Sequence, residues 1–316
     1  MVSIAQLRVL DAVRRHGSIT AAARELHYAQ PSVSHHLSRL EAQTGARLIQ
    51  RVGRGIRLTE AGRLLADRAA EIIGRVDSAT AELSTLVGLN AGRVRLAGFS
   101  SVMSSLVPQA AAVLAQQHPG LALGLADTHP EDALQLLRAG RIDVALIFRY
   151  DETAPEEDGV RLLHLLDDPL FLLTTGGGVT LAEHKDTPWV AGCERCRNHL
   201  VEMCQQAGFS PQLAYTTDDM VVMQSLVAAG MGVTTIPGLA LLAHRHPAIT
   251  ATPLPVPPRR IYAATYGDPP DPPATAALVA ALSQAAATQT DKSAVRNAKL
   301  ISARPVSSPK VRHELQ

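Results

Sequence analysis

A chain of 316 residues with 46% hydrophobic and 19% charged side chains is too long for one core of ordinary size and too apolar to stay disordered. Aromatic residues supply 3%, which argues against stacking platforms for single-stranded nucleic acid, and three cysteines exclude a disulfide scaffold and fit a reducing compartment. The net charge of +1 hides a division: residues 1–58 carry nine arginines against Asp11, Glu25 and Glu41, whereas residues 91–284 carry 12 basic and 19 acidic side chains. A basic head on an acidic body is the electrostatic footprint of a nucleic-acid-binding module joined to something that does not bind nucleic acid. No apolar run approaches the roughly 20 residues that span a bilayer, and no basic leader precedes an apolar stretch, so a soluble cytoplasmic protein with no membrane partner is expected.

From Ile4, the apolar positions Leu7, Leu10 and Val13 recur at helical spacing and stop at His16-Gly17. Ser18 or Thr20 caps a short second helix with Ala22, Ala23 and Leu26 on its inner face. Pro31 opens a third, whose buried stripe is Val33, Leu37 and Leu40. About that stripe, 100° per residue puts Ser32, His35, Ser38 and Arg39 on the opposite face, with Gln30 at the N-terminal end and Ser34 on the flank. Two short helices joined by a tight turn predict a helix-turn-helix, whose second helix lies in the major groove of double-stranded DNA. Gln30 suits a bidentate pair with adenine, while Ser and His discriminate less. Residues 47–58 read as two short strands around a glycine turn, a wing whose Arg51 and Arg54 suit phosphate or minor groove.

Thr59 then caps a long helix over about 59–88. Leu65, Ile72, Ala79 and Leu86 repeat every seven residues, as do Ala69, Val76 and Leu83, the offset of a heptad seam. At 1.5 Å per residue such a helix is about 45 Å long, too long for a small winged domain to bury. It requires a partner helix, with Leu65, Ile72, Val76 and Leu83 as dimer contacts, or else the chain's own second domain.

From Gly92 short aliphatic strands alternate with helices, the pattern of βαβ units around a parallel sheet: strands at 93–99, 121–127, 143–148, 169–174, 188–191, 213–217 and 262–266. Ligands in such folds sit outside the carboxyl ends of strands, against helix N-termini. Those ends supply the candidate ligand residues Ser100, Ser101, Thr128, Arg149, Cys193, Thr217 and Asp218. Arg149 and the helix starts after Ser100 and Gly192 favour an anionic group on the ligand. Residues 287–316, with six basic against two acidic side chains and no apolar period, read as a disordered tail.

Gly17-Ser18-Ile19-Thr20-Ala21-Ala22-Ala23, Gln30-Pro31-Ser32-Val33-Ser34, Leu40-Glu41, Gly45-Ala46-Arg47-Leu48, Arg51 and Leu58-Thr59-Glu60-Ala61-Gly62 resemble the N-terminal signature of the LysR-type transcriptional regulators over some sixty residues. Two positions depart from it, Ala29 where the family usually has Ser or Thr, and Ile49 where it usually has Phe. Position by position, the resemblance places base and phosphate contacts on Gln30, Pro31, Ser34, His35 and Arg51. It implies an α/β architecture: a winged helix-turn-helix DNA-binding domain (1–58), a linker and dimerisation helix (59–90), and a regulatory domain (91–286) similar to type 2 periplasmic binding proteins. The two lobes of that domain are expected at about 91–165 with 265–286 and at about 166–264, with a small-molecule effector between them and crossings near 165–170 and 260–267. Residues 137–145 and 227–233 fit the family's usual phrases. Dimers or tetramers on a dyad-symmetric promoter site follow from the same likeness, with RNA polymerase admitted as a further partner and no cofactor expected.

Cys193-Glu194-Arg195-Cys196, followed by His199 and Cys204, is the one constellation with other chemistry in it. A CxxC at a helix start lowers a thiol pKa, but Cys204 lies about 12 Å further along the axis than Cys196, beyond reach of one ion, so no metal site is expected. No Walker loop, GxGxxG, HExxH or nucleophile motif is present, and no catalytic residues are assigned. The competing readings are a redox-responsive regulator of the same fold using Cys193 and Cys196 and, more distantly, a solute-binding protein, which would have no use for the basic head.

Overall fold

The computed structural model describes residues 1–52, 55–86, 92–150 and 159–302. Helix α1 (Ile4–His16) starts at a capping box in which Ser3 accepts the Gln6 N–H while the Gln6 side chain accepts the Ser3 N–H, and it ends where Gly17 turns left-handed at φ 59°. Helix α2 (Ile19–Glu25) is capped by Ser18. Helix α3 (Gln30–Thr44) begins at Ala29 with no side-chain cap, the consequence of the hydroxyl missing at that position. Val9, Leu10, Val33, Leu37, Leu40 and Leu48 pack the three helices into one aliphatic core. The wing, β1 (Ile49–Val52) and β2 (Gly55–Leu58), pairs antiparallel. Its base is fixed by Glu41 of α3, whose carboxylate accepts the N–H groups of Leu48 at 2.7 Å and Ile49 at 3.2 Å.

Helix α4 (Glu60–Leu86) is capped by Thr59, whose hydroxyl accepts the Gly62 N–H at 3.0 Å. Gly62 is required by proximity: a Cβ there would lie 1.9 Å from the Leu48 carbonyl oxygen. Ala66, Ala69 and Ala70 bury the first half of α4, and Leu65 is partly buried against the winged-domain core rather than held out for a partner. Ile72, Val76 and Leu83 remain exposed, at 42%, 40% and 61%. Of the four expected dimer contacts, Ile72, Val76 and Leu83 are thus free on the surface of α4, whereas Leu65 packs on the winged domain's own apolar core.

The regulatory half opens with β3 (Arg93–Gly98), α5 (Ser100–Gln117), β4 (Ala122–Asp127), α6 (Pro130–Arg138), β5 (Val144–Arg149) and β6 (Val160–Asp168). It continues through β7 (Leu170–Thr174), β8 (Pro188–Ala191), α7 (Glu194–Gln206), β9 (Gln212–Thr216), α8 (Met220–Ala228), β10 (Thr234–Pro237), α9 (Gly238–Ala243) and β11 (Thr250–Pro253). The chain then returns as β12 (Arg259–Tyr266) and α10 (Pro273–Ser302). Lobe I is built on the sheet β4-β3-β5-β12-β6, parallel among β4, β3 and β5 but antiparallel on both sides of β12. Lobe II joins the antiparallel set β10-β7-β11 to the parallel pair β8-β9 through a bridge between Trp189 and Val233.

Three expectations change. The lobes exchange chain at 168–170 and at 254–258, so the expected boundaries at 165/166 and 264/265, and the crossing near 260–267, are displaced. The reason is that β12 pairs along its length with β6, from Arg259 opposite Asp168 to Tyr266 opposite Val160, and both strands belong to lobe I. Strands β6 and β11 and helix α9 had no sequence counterpart. Helix α10 continues past residue 286 to Ser302, through part of the stretch read as a disordered tail.

Candidate functional site

At the N-terminal end of α3, Gln30, Pro31, Ser32 and His35 are exposed, Ser34 is half-buried on the flank, and Arg39 is exposed one turn further on. Glu41, the first carboxylate of this helix, is turned back into the wing base, so the outer face presents amide, hydroxyl and imidazole groups without a competing anion. Arg51 is exposed on the wing; Arg54 lies outside the described residues. Behind this surface Arg15 of α1 holds Glu25 of α2 at 2.7 Å, with His16 on the same carboxylate. These partners, Arg15 foremost, pull the Glu25 pKa down to about 2. A basic and polar helix end with an arginine wing beside it has the composition that reads base edges and phosphates.

Between the lobes lies a cleft of about 940 Å³. Lobe I supplies Phe99, Ser100, Thr128, Phe148 and Tyr150, and lobe II supplies Cys193, Cys196, His199, Asp218 and Met223. Four of the seven expected ligand residues, Ser100, Thr128, Cys193 and Asp218, are thus brought together. Three are not. Ser101 is 1% exposed and its hydroxyl accepts from Arg259 at 2.6 Å beneath the cleft. Thr217 is spent on its own turn, its hydroxyl accepting the Asp219 N–H at 3.2 Å. Arg149 points from the far face of its strand into a separate depression of about 640 Å³ with Glu131, Glu194 and Arg195, because side chains alternate along β5 and Phe148 takes the inward place.

The floor of the cleft is an ion pair that the sequence reading missed. Arg259 and Asp168 are each 1% exposed and meet through two hydrogen bonds of 2.9 and 2.8 Å. Asp168 also accepts the Leu239 N–H at 2.9 Å, tying the pair to the start of α9. The Arg259 guanidinium lies over the rings of Phe99 at 5.0 Å and Phe148 at 4.8 Å. Burial pushes the Asp168 carboxyl upward, and Arg259 opposes it. Four contacts close the lobes over this floor. Arg195 of α7 donates to the Phe148 carbonyl at 2.9 Å and pairs with Glu131 of α6, and His129 faces Asp218 at 3.4 Å. Tyr150 stacks on His199 across the same boundary, centroids 3.7 Å apart. Among the described residues no cluster of three or more His, Cys, Asp or Glu side chains has the arrangement to hold a metal ion, and no helix is long and apolar enough to cross a membrane.

A winged helix-turn-helix, a linker helix with an exposed apolar stripe and a two-lobed domain with a cleft at its strand ends define a ligand-controlled DNA-binding regulator. Family models agree: the bacterial regulatory helix-turn-helix protein of the lysR family matches residues 4–63, and the LysR substrate binding domain matches residues 88–287. The chain belongs to the LysR family of transcriptional regulators. The HTH-type transcriptional regulator YofA of Bacillus subtilis is 30% identical over 246 residues, 76% of this chain and 83% of the relative. The RuBisCO operon transcriptional regulator of Allochromatium vinosum is 34% identical over 172 residues, 54% of this chain and 55% of that relative. Among solved structures, CbnR, a LysR family transcriptional regulator, superposes with a TM-score of 0.64 at 20% identity, covering 90% of this chain and 99% of that one, and it has also been solved in complex with its target DNA.

Proposed function

We propose that the protein is a cytoplasmic regulator without enzymatic activity, whose winged domains read a dyad-symmetric promoter site as a dimer or a dimer of dimers. Gln30, Ser34 and His35 contact base edges, and Ser32, Arg39, Arg51 and Arg54 contact the backbone. Pairing runs through the exposed Ile72, Val76 and Leu83 stripe of α4, and RNA polymerase is the partner through which a bound regulator acts on transcription. The effector is a small molecule with an apolar body against Phe99, Phe148 and Met223 and a polar or anionic end at the α5 N-terminus, beside Ser100 and Thr128.

The observation that carries this reading is the conjunction, on one chain, of a recognition helix whose outer face carries no carboxylate and an interlobe cleft that gathers Ser100, Thr128, Cys193 and Asp218. The test is a thermal-shift screen of the full chain against small organic acids and their neutral amides, repeated with Thr128→Ala and Arg149→Ala. A ligand stabilising the wild type and the Arg149 variant but not the Thr128 variant supports the placement. A shift abolished by Arg149→Ala moves the effector to the outer depression.

A further inference from the structure

Nothing in DNA reading or effector binding calls for two thiols in contact, yet the structure holds a pair. The Cys193 S–H donates to the Cys196 sulfur at 2.8 Å, and the Cys193 sulfur accepts the Cys196 N–H at 3.4 Å as the N-cap of α7. Both residues line the interlobe cleft and are half-buried. We propose that Cys193 and Cys196 form a reversible dithiol and disulfide site, whose co-substrate is a low-molecular-weight disulfide admitted through the cleft.

The surroundings favour a thiolate at Cys196. Hydrogen bonding from Cys193, with the positive charge of Arg259 and the Tyr150 hydroxyl adding to it, brings the Cys196 pKa down to about 7. The same hydrogen bond and burial push the Cys193 thiol up. One sulfur is thus the nucleophile and the other holds the proton. The Cys196 thiolate attacks one sulfur of R–S–S–R; the S–S bond breaks, and RS⁻ leaves and takes a proton from solvent. Cys193 then releases its proton and attacks the Cys196 sulfur, forming the internal disulfide and expelling the second RS⁻, which that proton neutralises. Two thiols and one disulfide become one disulfide and two thiols, with two electrons passing from the protein to the co-substrate.

Position and separation both suit this closure. Cys193 is the N-cap and Cys196 lies in the first turn of α7, with their sulfurs 2.8 Å apart, so closure to a disulfide of about 2.05 Å needs only a short approach of the two sulfurs. Cys204 does not compete: it is fully buried in the lobe II core, where burial raises its pKa to about 11. Arg195, enclosed by the pair, bonds the Phe148 carbonyl across the lobe boundary, so the state of the two sulfurs bears on a contact that holds the lobes together. The thiol chemistry stands independently of what else the cleft binds.

The test equilibrates the full-length protein in mixtures of reduced and oxidised glutathione, quenches with acid, alkylates with iodoacetamide and maps the peptides by mass. The expected result is loss of two alkylatable thiols with a link between Cys193 and Cys196, unchanged in Cys204→Ala and abolished in Cys193→Ser and Cys196→Ser. Circular dichroism of each serine variant confirms that it is folded. In Cys193→Ser the glutathione adduct on Cys196 accumulates, since the resolving thiol is gone. A stable adduct in the wild type, a link involving Cys204, or full alkylation of both cysteines in the most oxidising mixture would each overturn the proposal.

Discussion

Gly74 of the linker helix and Gly140 in the turn after α6 meet backbone to backbone. A Cβ on Gly74 would lie 2.2 Å from the Ala139 carbonyl oxygen and 2.4 Å from the Gly140 Cα, and one on Gly140 would lie 2.4 Å from the Gly74 Cα. The adjacent Arg75 sits 5.0 Å from the centroid of Tyr266. The linker helix is therefore seated on lobe I of its own chain through a contact only glycine permits. Gly74→Ala is expected to unseat it at a cost of about 1–3 kcal/mol, the usual penalty of overpacking a close contact. Limited proteolysis reads the outcome: faster cleavage between the winged domain and lobe I, with both domains still folded. An unchanged cleavage rate would show that the seat is dispensable.

Asp168 and Arg259 form the buried pair at the lobe crossings, and removing one partner leaves the other uncompensated. Asp168→Asn and Arg259→Met are each expected to destabilise the regulatory domain by about 3–5 kcal/mol, with much of the loss recovered in the double variant. Urea denaturation followed by tryptophan fluorescence measures this, since Trp189 is fully buried in lobe II. Strictly additive losses would mean that the two charges do not depend on each other.

Glu25 sets an acid limit on the winged domain. Its folded pKa of about 2 lies below the ordinary 4.5, so the unfolded chain takes up the proton first as pH falls. The stabilisation from Arg15 and His16 is complete above pH 4.5 and is lost between 4.5 and 2. Thermal melts of residues 1–58 signals in the full chain, from pH 6 to pH 3, should fall more steeply in the wild type than in Glu25→Gln. Parallel curves would remove Glu25 from the acid response.

On DNA, Gln30→Ala is expected to weaken binding to the promoter site by about 1–3 kcal/mol and leave random duplex almost untouched, as a base contact does. Arg51→Ala should weaken both and lower the slope of log K against log salt by about 1. Titrations by fluorescence anisotropy at several salt concentrations separate the two. Equal losses on both duplexes for Gln30→Ala would refute base reading.

The exposed stripe on α4 makes its own prediction. Ile72→Asp or Val76→Asp should reduce the assembly to monomers, because a charge placed in a helix seam is left without water or partner. Sedimentation velocity gives the mass. An unchanged mass would assign that stripe to some surface other than the dimer.

The winged domain was legible in the sequence nearly to the residue because its signals are local: a capping Ser, a stop at Gly17, a proline at Pro31, a stripe at Val33, Leu37 and Leu40. The regulatory half was legible only as alternation. Asp167 and Asp168 are neighbours of one type, and Arg259 and Arg260 likewise, yet only Asp168 and Arg259 are buried together, across 91 residues of chain. Nothing local marks which of two adjacent charges turns inward. The same holds for Arg149, whose face of β5 depends on the register with β12, and for Leu65, whose partner is the winged domain's own core. Strand β6 escaped notice because Leu162, Leu163, Leu165 and Leu166 break the alternation that announces a half-buried strand.

Glu41 gives the DNA-reading head a fixed gauge. By holding the wing base at Leu48 and Ile49, it sets the distance between Gln30 and Arg51 in the free protein, before any duplex is present. A head built this way has little slack with which to follow a widened or narrowed groove. Variation among operators must then be absorbed by the DNA, through its own bending and groove width, or by the separation of the two heads along the linker helices.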